Sequence, residues 1–506
     1  MIGGDCDAVG AGSAVRAFDC LKGALADPQA TVLAHHELEE MIGVQGREVL
    51  RLLFQGYLDL RAHRERELPH GAGCAAVVGA DGLARPYREL GHHRELVCVF
   101  GVVTVERCAW RQKGLPSVHP ADAELSLPAG RHSHGLRRLA VAEAIRGSYD
   151  QAVAAIGRQC GKVLAKLQAE SLVIGAARDI DTFYRQRMPL PATADTLLVM
   201  QFDGKGIMMR PEALRPATLK AHQRAQRAMC TRLAPGEKPH RKRMATLACV
   251  FDADPAPRRP HDIIAPPDGR SLQRAPWPGP RASAKWLTAS VINPPEHTIA
   301  AAFDEAEARD PGHLCTWVVL VDGAGHQLEL IHTEADRRQV DLHVLLDIVH
   351  VSEYSWTAAH AFHPPGTVET EVWVAAHLIT ILHGQAARAA AEMTAQADRA
   401  HLRGAQREAV DACVGYLTGH LDQLDYDTAL AAGWPIATGA IEGACRHLIG
   451  DRLGITGARW GLAGAEAVLK LRALTDNGGL DAYWRYHLRR EHLYPAPHQQ
   501  TYDLTA

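Results

Sequence analysis

The chain lacks any Cys-x-x-Cys pair, and its eleven cysteines are scattered without regular spacing. That argues against a zinc ribbon and a disulfide framework and points to reduced thiols. It also lacks a run approaching the roughly 18 apolar residues of a membrane span, and the opening MIGGDCDAVG has neither a basic leader nor an apolar core. The expectation is a soluble, cytoplasmic protein with no membrane partner. Charge imbalance is missing as well. At a formal net charge of −3, any nucleic acid would have to be met by local basic patches. What the chain does have is length: 506 residues, 47% of them hydrophobic, are enough for two to four domains.

The stretch Leu197–Arg210 (LLVMQFDGKGIMMR) reads as a buried strand that delivers a carboxylate, Asp203, out of its apolar half. A buried carboxylate is costly without hydrogen bonds, a cation or a metal. Asp-Gly pairs also simply open turns. Here, however, the pattern repeats: Trp317–Val321 (WVVLV) ends in Asp322-Gly323, and His343–Leu346 ends in Asp347.

In chain order, residues 1–34 are Gly/Ala-rich and read as loosely ordered. Residues 35–134 form a helix-plus-hairpin module: Leu38, Ile42, Val49, Leu53, Tyr57 and Leu60 recur at helical spacing up to Glu67, and Leu96–Trp110 gives two β runs around Gly101. Residues 135–190 hold short helices over Arg137–Arg146, Tyr149–Gly157 and Lys162–Gly175, with Ser148 and Gln151 at capping-box spacing. Two of these joined by a Gly-containing turn match a helix-turn-helix outline, in which Lys162, Lys166 and Gln168 would face DNA.

Residues 191–350 alternate in type. Strands at Leu197–Arg210, Met244–Phe251 and Lys285–Ile292 are followed by a helix at His297–Arg309, the Asp322 strand, a helix at Gln327–Arg338 and the Asp347 strand. Between the first two lies the densest basic patch, Arg210–Arg243, which includes Arg241, Lys242 and Arg243 and follows Lys205. A Pro- and Arg-rich connection, Asp254–Arg281, reads as a surface loop. This order is that of an RNase-H-like α/β domain. Residues 351–432 are Ala-rich and helical and read as an insertion. Residues 433–490 supply C-terminal core helices, with Thr438 expected to cap the helix carrying Glu442, and residues 491–506 form a tail.

Phosphodiester cleavage without a covalent intermediate needs an activated water or hydroxyl on one side of phosphorus and a stabilised leaving oxygen on the other, which two Mg²⁺ ions supply. Mg²⁺ prefers hard oxygen ligands, so Asp203, Asp322 and Glu442 are suitable, and without metal they would raise one another's pKa. Asp252, Asp254 and Asp347 stand near strand ends too and remain alternatives on this ground.

The phrases Gln201-Phe-Asp-Gly-Lys-Gly206, Lys285-Trp-Leu-Thr-Ala-Ser290, Leu320-Val-Asp-Gly323, Pro435-Ile-Ala-Thr-Gly-Ala-Ile-Glu-Gly-Ala-Cys-Arg-His447 and Ile455-Thr-Gly-Ala-Arg-Trp460 resemble those of the ISKra branch of bacterial insertion-sequence DDE transposases. The resemblance runs from about residue 35 to Tyr486 and is most specific around Glu442. It implies that Asp203, Asp322 and Glu442 are a catalytic, metal-holding triad for Mg²⁺, with Mn²⁺ as a substitute. It also implies a fold of α/β class: an RNase-H-like catalytic domain with an all-helical insertion, preceded by a mainly helical region. Asp347-x-x-His350 resembles a signature of related transposases and implies a positioning role for Asp347 and His350. Double-stranded DNA, at element ends and target, is the implied partner. Arg446, Arg452 and Arg459 would join the basic patch in holding phosphates, and a homodimer or larger assembly would act on DNA associated with the bacterial nucleoid. Related proteins often carry an N-terminal Cys-x-x-Cys zinc module, which this chain lacks. Rival readings are an RNase-H-like nuclease without strand transfer, a catalytically silent DNA-binding regulator and, more remotely, a carboxylate-pair glycosidase, for which the basic patch has no purpose.

Overall fold

The computed structural model of the chain describes residues 11–67, 76–79, 81–224, 241–265, 275–455 and 457–493. Two compact units emerge, Met1–Phe183 with Leu480–Ala506 and Tyr184–Gly479.

In the first unit, α1 (Ala11–Ala26) occupies part of the stretch expected to be loosely ordered; residues 1–10 lie outside the described residues. The long amphipathic pattern forms one helix, α2 (His35–Glu67). It packs on a hairpin of β1 (Tyr87–Cys98) and β2 (Gly101–Arg111), where Leu58, Leu96, Cys98, Val103 and Val105 share a buried cluster. Gln55 ties the two together, its amide donating to Thr104 O at 2.9 Å and accepting from Thr104 N at 2.8 Å. Three short helices follow: α3 (His134–Ala144), α4 (Tyr149–Cys160) and α5 (Lys166–Ala176). Ser148 and Gln151 make the full reciprocal capping box, satisfying two donors at the start of α4. The C-terminal helix Leu480–Leu493, which the sequence grouped with residues 433–490, belongs to this unit instead. Buried polar bonds hold it there: Tyr483 Oη donates to Ala176 O at 2.5 Å, and His487 Nδ1 lies 2.7 Å from Asp179 Oδ2. The rest of the expected tail, residues 494–506, lies outside the described residues.

The second unit is built on a mixed five-stranded sheet. Its strands are β3 (Leu197–Met208), β4 (Lys242–Ala253), β5 (Ser283–Ser290), β6 (Thr316–Val321) and β7 (Leu342–Leu346), in the spatial order β5-β4-β3-β6-β7. The first three form antiparallel pairs, while β6 and β7 add in parallel on the other side. Parallel addition requires crossovers, which α6 (Pro295–Arg309) and α7 (Gly325–Arg338) provide. Leu197–Val199 and Val318–Leu320 are fully or almost fully buried, as their unbroken apolar runs require of strands covered on both faces.

After β7 the chain becomes helical: α8 (Ile348–Ala359), α9 (Val368–Leu382), α10 (Ala386–Arg399) and α11 (Gly404–Thr418). Ala386, Ala389, Ala390, Met393 and Ala397 line the buried face of α10 at helical spacing. The chain then turns back through Gly433, whose φ of 79° and close approach to Ala256 N leave no room for a Cβ. It enters α12 (Gly439–Ala444), which runs into a π-helical turn at Cys445–Gly450, and ends with α13 (Leu462–Asp476). No helix among the described residues is long and apolar enough to cross a membrane.

Candidate active site

β3 pairs with β6 from Leu197↔Thr316 to Gln201↔Leu320, and β6 with β7 up to Val321↔Leu346. Extending these registers sets Asp322 opposite Asp203 and Asp347 opposite Asp322, so the three aspartates form one row across adjacent parallel strands. Residues in register on parallel strands face the same side of a sheet. Asp203 is not at the end of its strand, as the sequence suggested. β3 continues to Met208 against β4, and Asp203 stands where the parallel neighbour stops pairing. Asp322 does end its strand. Gly323 follows at φ 90°, and a Cβ there would press on Leu346 and His420.

The aspartates differ in their partners. Asp203 is half-buried, its Oδ1 accepting from Gly204 N at 2.5 Å and its Oδ2 from the Cys445 thiol at 2.9 Å. Asp322 is half-buried, and burial, followed by the charge of Asp203, pushes its pKa up; His350 opposes this and Asp347 adds to it. Tyr416 Oη, from α11, donates to the Asp322 carbonyl at 2.8 Å. Asp347 is buried and fully engaged: Oδ1 accepts from Val349 N at 3.0 Å and Thr438 N at 3.3 Å, and Oδ2 from Thr438 Oγ1 at 2.6 Å.

Thr438 therefore does not cap its helix by its side chain. Its hydroxyl serves Asp347 and lies 3.4 Å from Glu442 Oε1. The segment before α12 is fastened on both sides of β6. Ile348 N donates to Ile436 O at 2.9 Å, and Gln201 Nε2 donates to Ala437 O at 3.1 Å while its Oε1 accepts from Ile441 N at 3.0 Å. Glu442 itself is exposed. His350 is partly exposed, 3.4 Å from Glu353 and beside the stacked rings of Tyr354 and Tyr416.

Among the described residues, no group of three His, Cys, Asp or Glu side chains is arranged to hold a metal ion. The chemistry of the donor set nevertheless fits Mg²⁺. Asp203 and Asp322 offer hard oxygens whose mutual repulsion a divalent cation would relieve; Asp203 would exchange its bonds from Gly204 N and the Cys445 thiol for the ion, whereas Asp347 is buried more deeply and accepts three bonds. Of the alternative acids, Asp252 accepts from Arg309 at 3.1 Å.

The basic residues divide. Lys162, Lys205, Lys242, Arg446 and Arg459 are exposed, and Arg241 is half-buried. Arg243, in contrast, is spent on the carbonyls of Val291, Ala213 and Ile292. Arg452 is buried over the ring of Trp460 at 4.8 Å, so neither arginine presents its guanidinium as a phosphate clamp would. Lys166 pairs with Asp150 at 2.6 Å, and Gln168 accepts from Ala165 N at the start of its own helix. Residues 225–240, the middle of the expected basic patch, lie outside the described residues, as do residues 266–274 of the Pro/Arg-rich connection.

Gln201, Cys445 and Tyr416 were not singled out from the sequence. Gln201 carried a signal: it is a polar side chain inside an apolar strand, on the same face as Asp203. No protein-family model matches the chain, and no curated protein matches it.

Proposed function

We propose that the chain is a DDE transposase of an insertion sequence, cutting DNA at element ends and joining the freed 3′ hydroxyl to target DNA. The reading rests above all on the row of Asp203 and Asp322 on neighbouring parallel strands, with the Glu442 segment fastened to the strands on both sides of β6. The strand order β5-β4-β3-β6-β7, with β4 antiparallel to both neighbours, supports reading this α/β unit as RNase-H-like. Asp203, Asp322 and Glu442 would hold divalent ions, Mg²⁺ or Mn²⁺. When bound, those ions supply activation of the attacking hydroxyl and stabilisation of the leaving oxygen. Gly204 N and the Cys445 thiol orient Asp203. Lys205, Lys242, Arg446 and Arg459 track phosphates, Asp347 and His350 position their neighbours, and α4–α5 act as the DNA-reading helix pair. Joining two ends requires two active sites, and hence at least two copies of the chain.

The test is to incubate the purified chain with Mg²⁺ and DNA carrying the sequences that flank its own gene, then sequence the products. Joined target strands are expected. Nicks alone would point to a nuclease, and intact DNA to a silent binding protein.

A further inference from the structure

Gln201 is 1% exposed, a neutral amide enclosed in the apolar half of β3. A buried primary amide is costly unless both ends find partners. Here both partners are backbone groups, the Ala437 carbonyl just before α12 at 3.1 Å and the Ile441 N–H in its first turn at 3.0 Å. Ile441 N is in the first turn of α12 and shares its hydrogen between Gln201 Oε1 and the Thr438 carbonyl, each at 3.0 Å, so the side chain of β3 joins the turn's own first bond. The residue next to it is Glu442. One turn further on, Cys445 returns to the same strand through its thiol bond to Asp203 Oδ2 at 2.9 Å. Ala437, Ile441 and Cys445 thus bond to side chains of β3 residues two apart, and Glu442 lies inside the span they fix.

We propose that Gln201, assisted by Cys445, is the positioning residue that sets Glu442 relative to Asp203. The proposal rests on the transposase reading for its catalytic purpose. Glu442 is exposed, its Oε1 lying 3.4 Å from the Thr438 hydroxyl, and the bonds of Gln201 and Cys445 hold the backbone on either side of it. Gln201 is suited to this because its amide bonds the backbone on both sides of Thr438, the residue that opens α12.

The experiment compares full-length wild type, Q201L, which keeps the approximate volume but removes both bonds, and C445S, which retains a hydroxyl donor. Amide hydrogen exchange is followed at Ile441 and Glu442, with Val199 and Val319 as sheet controls, and the cleavage rate and DNA affinity are measured in Mg²⁺. Expected in Q201L are exchange at least tenfold faster at Ile441 and Glu442 with the sheet amides unchanged, and cleavage at least tenfold slower with DNA affinity intact. C445S, in which a hydroxyl can still donate to Asp203 Oδ2, should speed exchange at Glu442 and slow cleavage by less than Q201L does. Native exchange at Ile441 in Q201L would overturn the proposal, as would native cleavage by a Q201L chain whose wild type cleaves. Faster sheet exchange in step with Ile441 would also overturn it, reducing Gln201 to a core residue. If the wild type does not cleave, the transposase reading falls and takes the catalytic purpose with it, while the exchange at Ile441 still decides whether the clamp exists.

Discussion

Thr438 donates its hydroxyl hydrogen to Asp347 Oδ2 across 2.6 Å, and its backbone N–H reaches the other oxygen of the same carboxylate. The bond joins the end of β7 to the residue that opens the Glu442 helix. Removing it leaves a buried carboxylate short of a donor, which costs on the order of 1–3 kcal/mol. T438V is therefore expected to lower Tm, with T438S restoring most of the loss; calorimetry of the three proteins checks this.

Asp322 carries the opposite sign. Burial and the neighbouring Asp203 charge raise its pKa in the folded chain, so the folded state holds this proton more tightly than the unfolded state. Stability falls as pH rises from the ordinary carboxylate range through the raised value. In divalent-free buffer D322N should melt above wild type at neutral pH, with the gap closing below the ordinary carboxylate range. A D322N protein that melts lower at neutral pH would contradict this.

Asp310 provides the contrast. Burial alone would raise its pKa, yet bonds from Trp317 Nε1, Leu314 N and Cys315 N, each at 2.9 Å, hold it below its ordinary value. A depressed carboxylate stabilises above its unfolded pKa and loses that contribution as pH falls through the folded one. D310A orphans all three donors and should cost about 3 kcal/mol or more at neutral pH. D310N should cost less, with the charge-dependent part of its deficit disappearing in acid; urea titrations at several pH values measure both.

The arginines near Glu442 should separate by role. R452A removes a buried guanidinium stacked on Trp460 and is expected to destabilise the fold by roughly 2 kcal/mol. R446A and R459A remove exposed charges and should leave the unfolding free energy within about 0.5 kcal/mol of wild type. In DNA binding, each of those two should lower the salt slope by about 1. Equal behaviour of all three would refute the division.

Much of the fold was legible because its signals are local. The apolar runs at Leu197, Met244 and Trp317 had to be strands, and the Ser148–Gln151 pair had to open a helix. The aspartates were visible for the same reason, each interrupting an apolar run. Non-local bonds were not legible. Nothing in the spacing says that Gln201 would meet Ala437 and Ile441, that Thr438 would serve Asp347 rather than its own helix, or that Arg452 would turn inward onto Trp460. The C-terminal helix was misassigned because its anchors, Asp179 and Ala176, lie some three hundred residues earlier. Arginine is mostly exposed in proteins, so composition gives no warning when one is buried.

The most direct test of the central claim is Mn²⁺ binding followed by electron paramagnetic resonance on wild type, D203N, D322N and E442Q. If the three acids serve one site, each substitution weakens Mn²⁺ uptake at least tenfold while the protein stays folded. Undiminished binding by E442Q would contradict the account, because it would leave Glu442 outside the site that Asp203 and Asp322 form.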